Sequence, residues 1–262
     1  MSKQSSIPTQ LIELNQAFDS KPIYVQTTMT IRTRLGEQLN HNKTAILGSI
    51  VFVLLINRVV GFISPNLNAL GTPLAMLAIL TLSWLKKSGW SDIGFMQPKS
   101  WWKTAALGVG VAVSLQASAL LITLPLLARL GIPTPDLSAY GTVKSNAFVL
   151  IGWLLVSWTT AGFGEEIIWR GFMMPQIARL FNNNWMGWVL GLLGSSVLFG
   201  LIHYPQGITG MVMTGFSGFI YGLLVLTSGH KLWPAIIAHG MTDTIAFLLL
   251  CYGGSIIQAV GL

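Results

Sequence analysis

This sequence predicts an all-α fold, a polytopic bundle of transmembrane helices enclosing a buried polar site. Three observations predict it. Of 262 residues, 52% are hydrophobic and 9% charged, whereas a water-soluble globular chain carries roughly 25% charged residues. Apolar runs follow one another from residue 44 to residue 250 with only short polar breaks. Inside those runs stand a few ionisable residues of the kind that are costly in a membrane and mark sites facing the protein interior.

A bilayer core about 30 Å thick needs roughly 20 apolar residues per helix. Seven stretches approach that length: 44–63, 67–85, 104–127, 147–169, 186–203, 208–227 and 232–250. Residues 146–182 form one long, mostly apolar segment. It holds either a span plus an in-plane helix or a broken helix, so eight spans is the alternative to seven. Gly215, Gly218 and Gly222 leave a small-residue face on the sixth span, where another helix can approach closely.

Residues 1–43 form a polar N-terminal segment ahead of a membrane domain at 44–262. The segment lacks the apolar stretch and small-residue cleavage site of a signal peptide, so it is expected to be retained and cytosolic. Ile7, Leu11, Ile12, Leu14 and Phe18 recur at near-helical spacing, which suits either a short amphipathic helix on the membrane surface or a loosely ordered tail. The lone Cys251 excludes an internal disulfide and any multi-cysteine metal site.

The formal charge of +7 is better explained by topology than by a nucleic-acid partner. With a cytosolic N-terminus, Lys3, Lys21, Arg32, Arg34, Lys43, Lys86, Lys87, Lys99, Lys103, Arg170, Arg179 and Lys231 fall on or near the inner side. These are twelve of the fifteen basic residues, the bias of the positive-inside rule. Trp101, Trp102, Trp185, Trp188 and Trp233 lie near span ends, as interfacial aromatics do. Arg58, inside the first span, is expected to extend its side chain to the outer headgroups.

The ionisable residues within the apolar runs fall into three groups. In GFGEEIIWRGF, Glu166 and Arg170 are four apart and share a helix face, so they can pair and offset the cost of burying both. Glu165 is turned about 100° away with no local partner, free to take a proton from water. In LFGLIHYPQG, Phe199 and His203 share a face, and Pro205 ends the span. In LWPAIIAHGMTDTIAF, His239 and Asp243 are four apart, and a local hydrogen bond between them would satisfy both. Together the three groups supply carboxylates and imidazoles on three spans, an inventory for water activation and oxyanion stabilisation in amide hydrolysis.

These motifs, Glu165-Glu166-x-x-x-Arg170, Phe199-x-x-x-His203 and His239-x-x-x-Asp243, resemble the signature of the CaaX-processing and bacteriocin-processing (Abi) family of intramembrane proteases. They stand in the family's order, and the resemblance covers about residues 90–250, beginning near WSDIGF. It implies an endopeptidase acting on a peptide or protein at the membrane, prenylated in the eukaryotic branch. Carried over by position, Glu165 would activate water with help from His203, and His239 and Asp243 would bind the oxyanion or orient the water. Glu166 with Arg170 would hold the helix. The prenyl-protease branch often has Asn at position 243, and a carboxylate donates no hydrogen bond unless protonated. A metal-ligand or His-orienting role thereby gains weight at Asp243. Two His and a carboxylate could hold zinc, with His203 and His239 as candidates; the absence of HExxH spacing favours metal-independent chemistry.

The expected location is the plasma (inner) membrane of a prokaryote. Two other readings compete. A non-catalytic membrane scaffold or bacteriocin-immunity protein would share the fold. A proton-coupled transporter would share the intramembrane Glu and His, although no internal repeat is visible. The catalytic reading requires the carboxylates and both imidazoles to converge within about 8 Å, near mid-depth of the bundle.

Overall fold

The computed structural model describes residues 31–64 and 70–254, all helix, turn and loop with no strand among them. The 7–18 segment, read as a possible surface helix, lies outside the described residues. Eight helices follow in order: α1 (Ile31–His41), α2 (Lys43–Ile63), α3 (Gly71–Leu85), α4 (Trp101–Arg129), α5 (Ala147–Leu180), α6 (Trp185–Leu201), α7 (Gly207–Thr227) and α8 (Trp233–Tyr252). Short 3-10 turns at Trp90–Ile93, Ser138–Ser145 and Tyr204–Gln206 join them.

Four of these helices are long and apolar enough to cross a membrane: α4, α5, α7 (counted from Tyr204) and α8. A fifth span is reached if α1 and the first part of α2, bent by 92°, are one. α3 and α6 are apolar but shorter. The 146–182 segment is one continuous helix of 34 residues, not a span followed by a separate in-plane helix. The bundle is apolar outside as well as in. Phe148 is 84% exposed and Leu121 77% exposed, surfaces that only lipid would cover at no cost.

Local signals set the helix ends. Asn146 and Asn184 cap α5 and α6, each side-chain oxygen accepting a backbone N–H of the first turn. Pro234 opens α8, where no N–H is needed. α8 packs along α4, α7 along α6, and the last turns of α5 along α6. The core between them holds Trp169, Phe199 and Tyr221, each about 1% exposed.

The least regular element is α5. Its middle, Ser157–Glu165 and Ile167–Met173, is π-helical, a form that is rare beyond single turns and frequent at functional sites. The widened helix presses on α8, where Gly240 leaves room for Trp158. A Cβ on Gly240 would lie 2.7–2.9 Å from three ring atoms of Trp158. Gly240→Ala is therefore expected to destabilise the protein by about 1–3 kcal/mol through overpacking, read as a lowered unfolding midpoint in detergent. The expected small-residue face of α7 is used as predicted: Gly215 meets α6 at Gly200, and Gly222 faces Leu192.

Candidate active site

The polar residues of the three motifs meet on one wall of the bundle core. Glu166, fully buried, accepts from Arg170 Nη1 at 2.7 Å and from His239 Nδ1 at 2.8 Å, both on Oε1. The expected Glu166–Arg170 pair is present, and it carries an added partner on α8. The guanidinium lies over the rings of Phe199 at 4.6 Å and Tyr221 at 5.4 Å, so a cation and its carboxylate are buried with aromatic faces as further company. Gly218 makes this possible, because a Cβ there would stand 2.8 Å from Arg170 Nη2 and from Phe199.

Glu165 does not stand alone as expected. Its Oε2 lies 4.0 Å from His239 Nε2, and Asp243 Oδ2 lies 3.9 Å from the same nitrogen. His239 is thus the hub. Nδ1 is committed to Glu166, and Nε2 points between Glu165 and Asp243. Tyr221 stacks on the imidazole at 5.0 Å and 24°, fixing its plane.

His203 sits just past the end of α6. Counted along the sequence it lies far deeper from the α6 start than His239 does from the α8 start, which would separate the two imidazoles if both helices ran straight across. Two features close the gap. The His203 Nδ1 hydrogen-bonds the Phe199 carbonyl at 2.7 Å, folding the ring back over the last turn, and Phe199 contacts both imidazoles, with centroids 4.9 Å from His203 and 6.0 Å from His239. Because a carbonyl only accepts, Nδ1 of His203 carries the hydrogen and the neutral ring's lone pair is on Nε2.

Glu165, His203, His239 and Asp243 all line one cavity of about 310 Å³ between α4, α5, α7 and α8. Its outer walls are apolar, including Leu120, Leu124, Met213 and Leu250, and Tyr140 from the 3-10 turn closes one side. Glu166 and Arg170 stand behind that wall.

Three contributors were not legible as site residues. Ser157, one of several polar residues in an otherwise apolar run, donates to Asp243 Oδ2 at 2.6 Å from two turns before Glu165. Tyr221 gave no signal, being one aromatic among many. Arg58 does not reach outward to headgroups as expected: its Nη2 donates to the carbonyl of Ile202, the residue before His203. Residue type marks the donor, whereas the acceptor is a backbone carbonyl freed at a helix end, which residue type does not mark.

Ser157 holds the Asp243 carboxylate by a hydrogen bond to a charged group, worth about 1.5–3 kcal/mol. If the site hydrolyses peptides, as its motifs' resemblance implies, Ser157→Ala is expected to lower kcat about tenfold, while Ser157→Thr, which keeps the hydroxyl, stays near wild type; steady-state hydrolysis of one fixed peptide checks both.

As for a metal, no group of three or more His, Cys, Asp or Glu side chains among the described residues is arranged to hold one. Nδ1 of each histidine is engaged, by Phe199 and by Glu166, which leaves Nε2 of each as the nitrogen open to a ligand, the arrangement that orients metal-binding histidines elsewhere. His203 and His239 could supply two donors through Nε2, but no third donor is grouped with them among the described residues, and the steps proposed for the reaction do not pass through a metal.

No curated protein and no solved structure matches the chain. A protein-family model does, over residues 147–245. That segment holds Glu165, Glu166, Arg170, Phe199, His203, His239 and Asp243 and leaves out Arg58. Across the residues that build its buried polar site, the chain matches the family described as type II CAAX prenyl endopeptidase Rce1-like, in agreement with the intramembrane protease family that its motifs resemble.

Proposed function

We propose that this protein is an intramembrane endopeptidase that hydrolyses a peptide bond of a membrane-associated or lipidated peptide or protein, using water activated by Glu165. The family match implies a protease at the membrane. The observation that carries the finer reading is the convergence of two carboxylates on one imidazole nitrogen, at 4.0 and 3.9 Å, inside a cavity that His203 also lines.

Water bound between Glu165 and the Nε2 lone pair of His203 gives its proton to Glu165 as its oxygen adds to the scissile carbonyl. A hydrogen on Nε2 of His239 is then aimed into the cavity, where it stabilises the oxyanion. Glu166 keeps that ring oriented through Nδ1, and Asp243, held by Ser157, flanks Nε2. As the tetrahedral intermediate collapses, the C–N bond breaks and Glu165 returns its proton to the leaving amine. No side-chain nucleophile is required.

The apolar walls formed by Leu120, Leu124, Met213 and Leu250 suit a lipid chain or a large apolar side chain beside the scissile bond. In this reading α2, α3 and α6 join the four long helices to make seven spans, with α1 in the cytosolic segment. The basic end faces the cytosol, in the plasma (inner) membrane of a prokaryote.

The test is cleavage of a peptide library, prenylated members included, by the purified protein in detergent, with and without a chelator. Cleavage that persists with chelator supports the metal-independent route, and cleavage lost with it indicates a metal recruited to His203 and His239. Absence of cleavage across the library sinks the peptidase reading in favour of a scaffold of the same fold.

A further inference from the structure

A second cavity, of about 190 Å³, is lined by Arg170 and lies apart from the residues of the active-site cavity. Its walls come from the Trp90–Ile93 turn, the last turns of α5, the start of α6 and the α7–α8 loop. Its polar lining is Ser91, Asp92, Arg170, Arg179, Asn183 and His230, with His230 packed at a tilt of 48° against Trp188, ring centroids 4.4 Å apart.

The charges around it are unevenly met. Arg170 is matched by Glu166 behind it. Among the described residues Arg179 donates to a neutral amide oxygen, that of Gln176, at 3.1 Å; no carboxylate lies within ion-pair distance of it, and Asp92 on the same wall acts on its charge from further off. Asp92 is the one acidic side chain on the wall, and its Oδ2 is engaged by the backbone N–H of Gly89 at 2.8 Å. Lys86 stands close enough that burial, and then the neighbouring Arg179, push its ammonium down to about 8. Two cations held near each other, one of them largely buried, call for an anion.

The backbone points the same way. His230 and Asn183 both hold left-handed φ, 62° and 53°, conformations that non-glycine residues adopt rarely and that concentrate at binding sites. Both line this cavity. Trp84, Trp90, Trp101, Trp185 and Trp233 stand at this same end, where α3 finishes and α4, α6 and α8 begin, the belt that marks headgroup depth.

We propose that this cavity binds a phosphate group, with Arg179, Asn183 and His230 as its donors and Lys86 as the nearby charge. Arg supplies the planar fork that suits phosphate oxygens. At headgroup depth the phosphate is that of an anionic lipid, and a free phosphate ion carries the same chemistry.

The experiment follows the thermal unfolding midpoint of the full-length protein in phosphate-free detergent at constant ionic strength. It titrates either dihexanoyl phosphatidylglycerol or inorganic phosphate. A saturable rise of about 5 °C is expected, lost in Arg179→Gln and lost or halved in the double variant Asn183→Gly, His230→Gly. Glycine is favoured at both left-handed positions, so the double variant keeps its fold and decides the matter if Arg179→Gln does not. A rise with the lipid alone assigns a headgroup, and a rise with both assigns the phosphate group itself. No saturable rise in the wild type, or an undiminished rise in the double variant, overturns the proposal. None of these readouts depends on peptidase activity, so this site and the proposed active site stand or fall separately.

Discussion

Glu165→Gln is expected to lower kcat by about a thousandfold while KM changes little. Glutamine keeps the size and the hydrogen-bonding oxygen of the side chain but cannot take a proton, and a positioned general base contributes roughly 10²–10⁴ in rate. Substrate binding rests on the apolar cavity walls, which the substitution leaves untouched, so the loss belongs in kcat. The measurement is steady-state cleavage of the best library peptide. Activity within tenfold of wild type would move the base to another group, with Asp243 next in line because it also faces His239 Nε2, at 3.9 Å. Glu165→Asp, which keeps the carboxylate but shortens its reach, should fall between the two.

The parts of this fold that could be read in advance are those that depend on residue type at fixed spacing. The starts and ends of the apolar runs gave α2 to α4 and α6 to α8 close to their observed limits, because a helix that must cross lipid satisfies its own backbone and so follows the run, whereas α5 continues eleven residues past the expected end at residue 169. Glu166 and Arg170 pair because four residues along a helix is one face. The π-helical turns of α5 were hidden, since no spacing of residue types in the sequence marks them.

Adjacent on α5 and turned to different sides, Glu165 and Glu166 both lie against His239, one at each ring nitrogen. The third kind of feature, a side chain reaching a backbone carbonyl, was out of reach for another reason. Arg58 on Ile202 and His203 on Phe199 depend on where helix α6 ends in space, and residue type alone does not state that.

The largest effect on stability is expected at Arg170, and it can be separated from the effect on catalysis. Arg170→Ala leaves the Glu166 carboxylate fully buried, with Oε2 already lacking a hydrogen-bond partner. Removing one member of a buried pair costs about 3–5 kcal/mol, so the variant should unfold many degrees earlier or fail to accumulate. In the double variant Glu166→Gln, Arg170→Met both charges leave together. Replacing a buried ion pair by neutral groups of similar volume is often close to neutral for stability, and the midpoint should return most of the way.

Activity should not return with it. A neutral amide oxygen at position 166 can still accept from His239 Nδ1, but it no longer supplies the negative charge that favours a hydrogen on both ring nitrogens while Nε2 faces the oxyanion. The expected outcome is a well-folded protein with kcat down about a hundredfold, measured beside a thermal melt of the same preparation. If the double variant recovers activity along with stability, Glu166 serves only to hold α5 against α8, and the orienting of His239 falls to Tyr221 and Asp243.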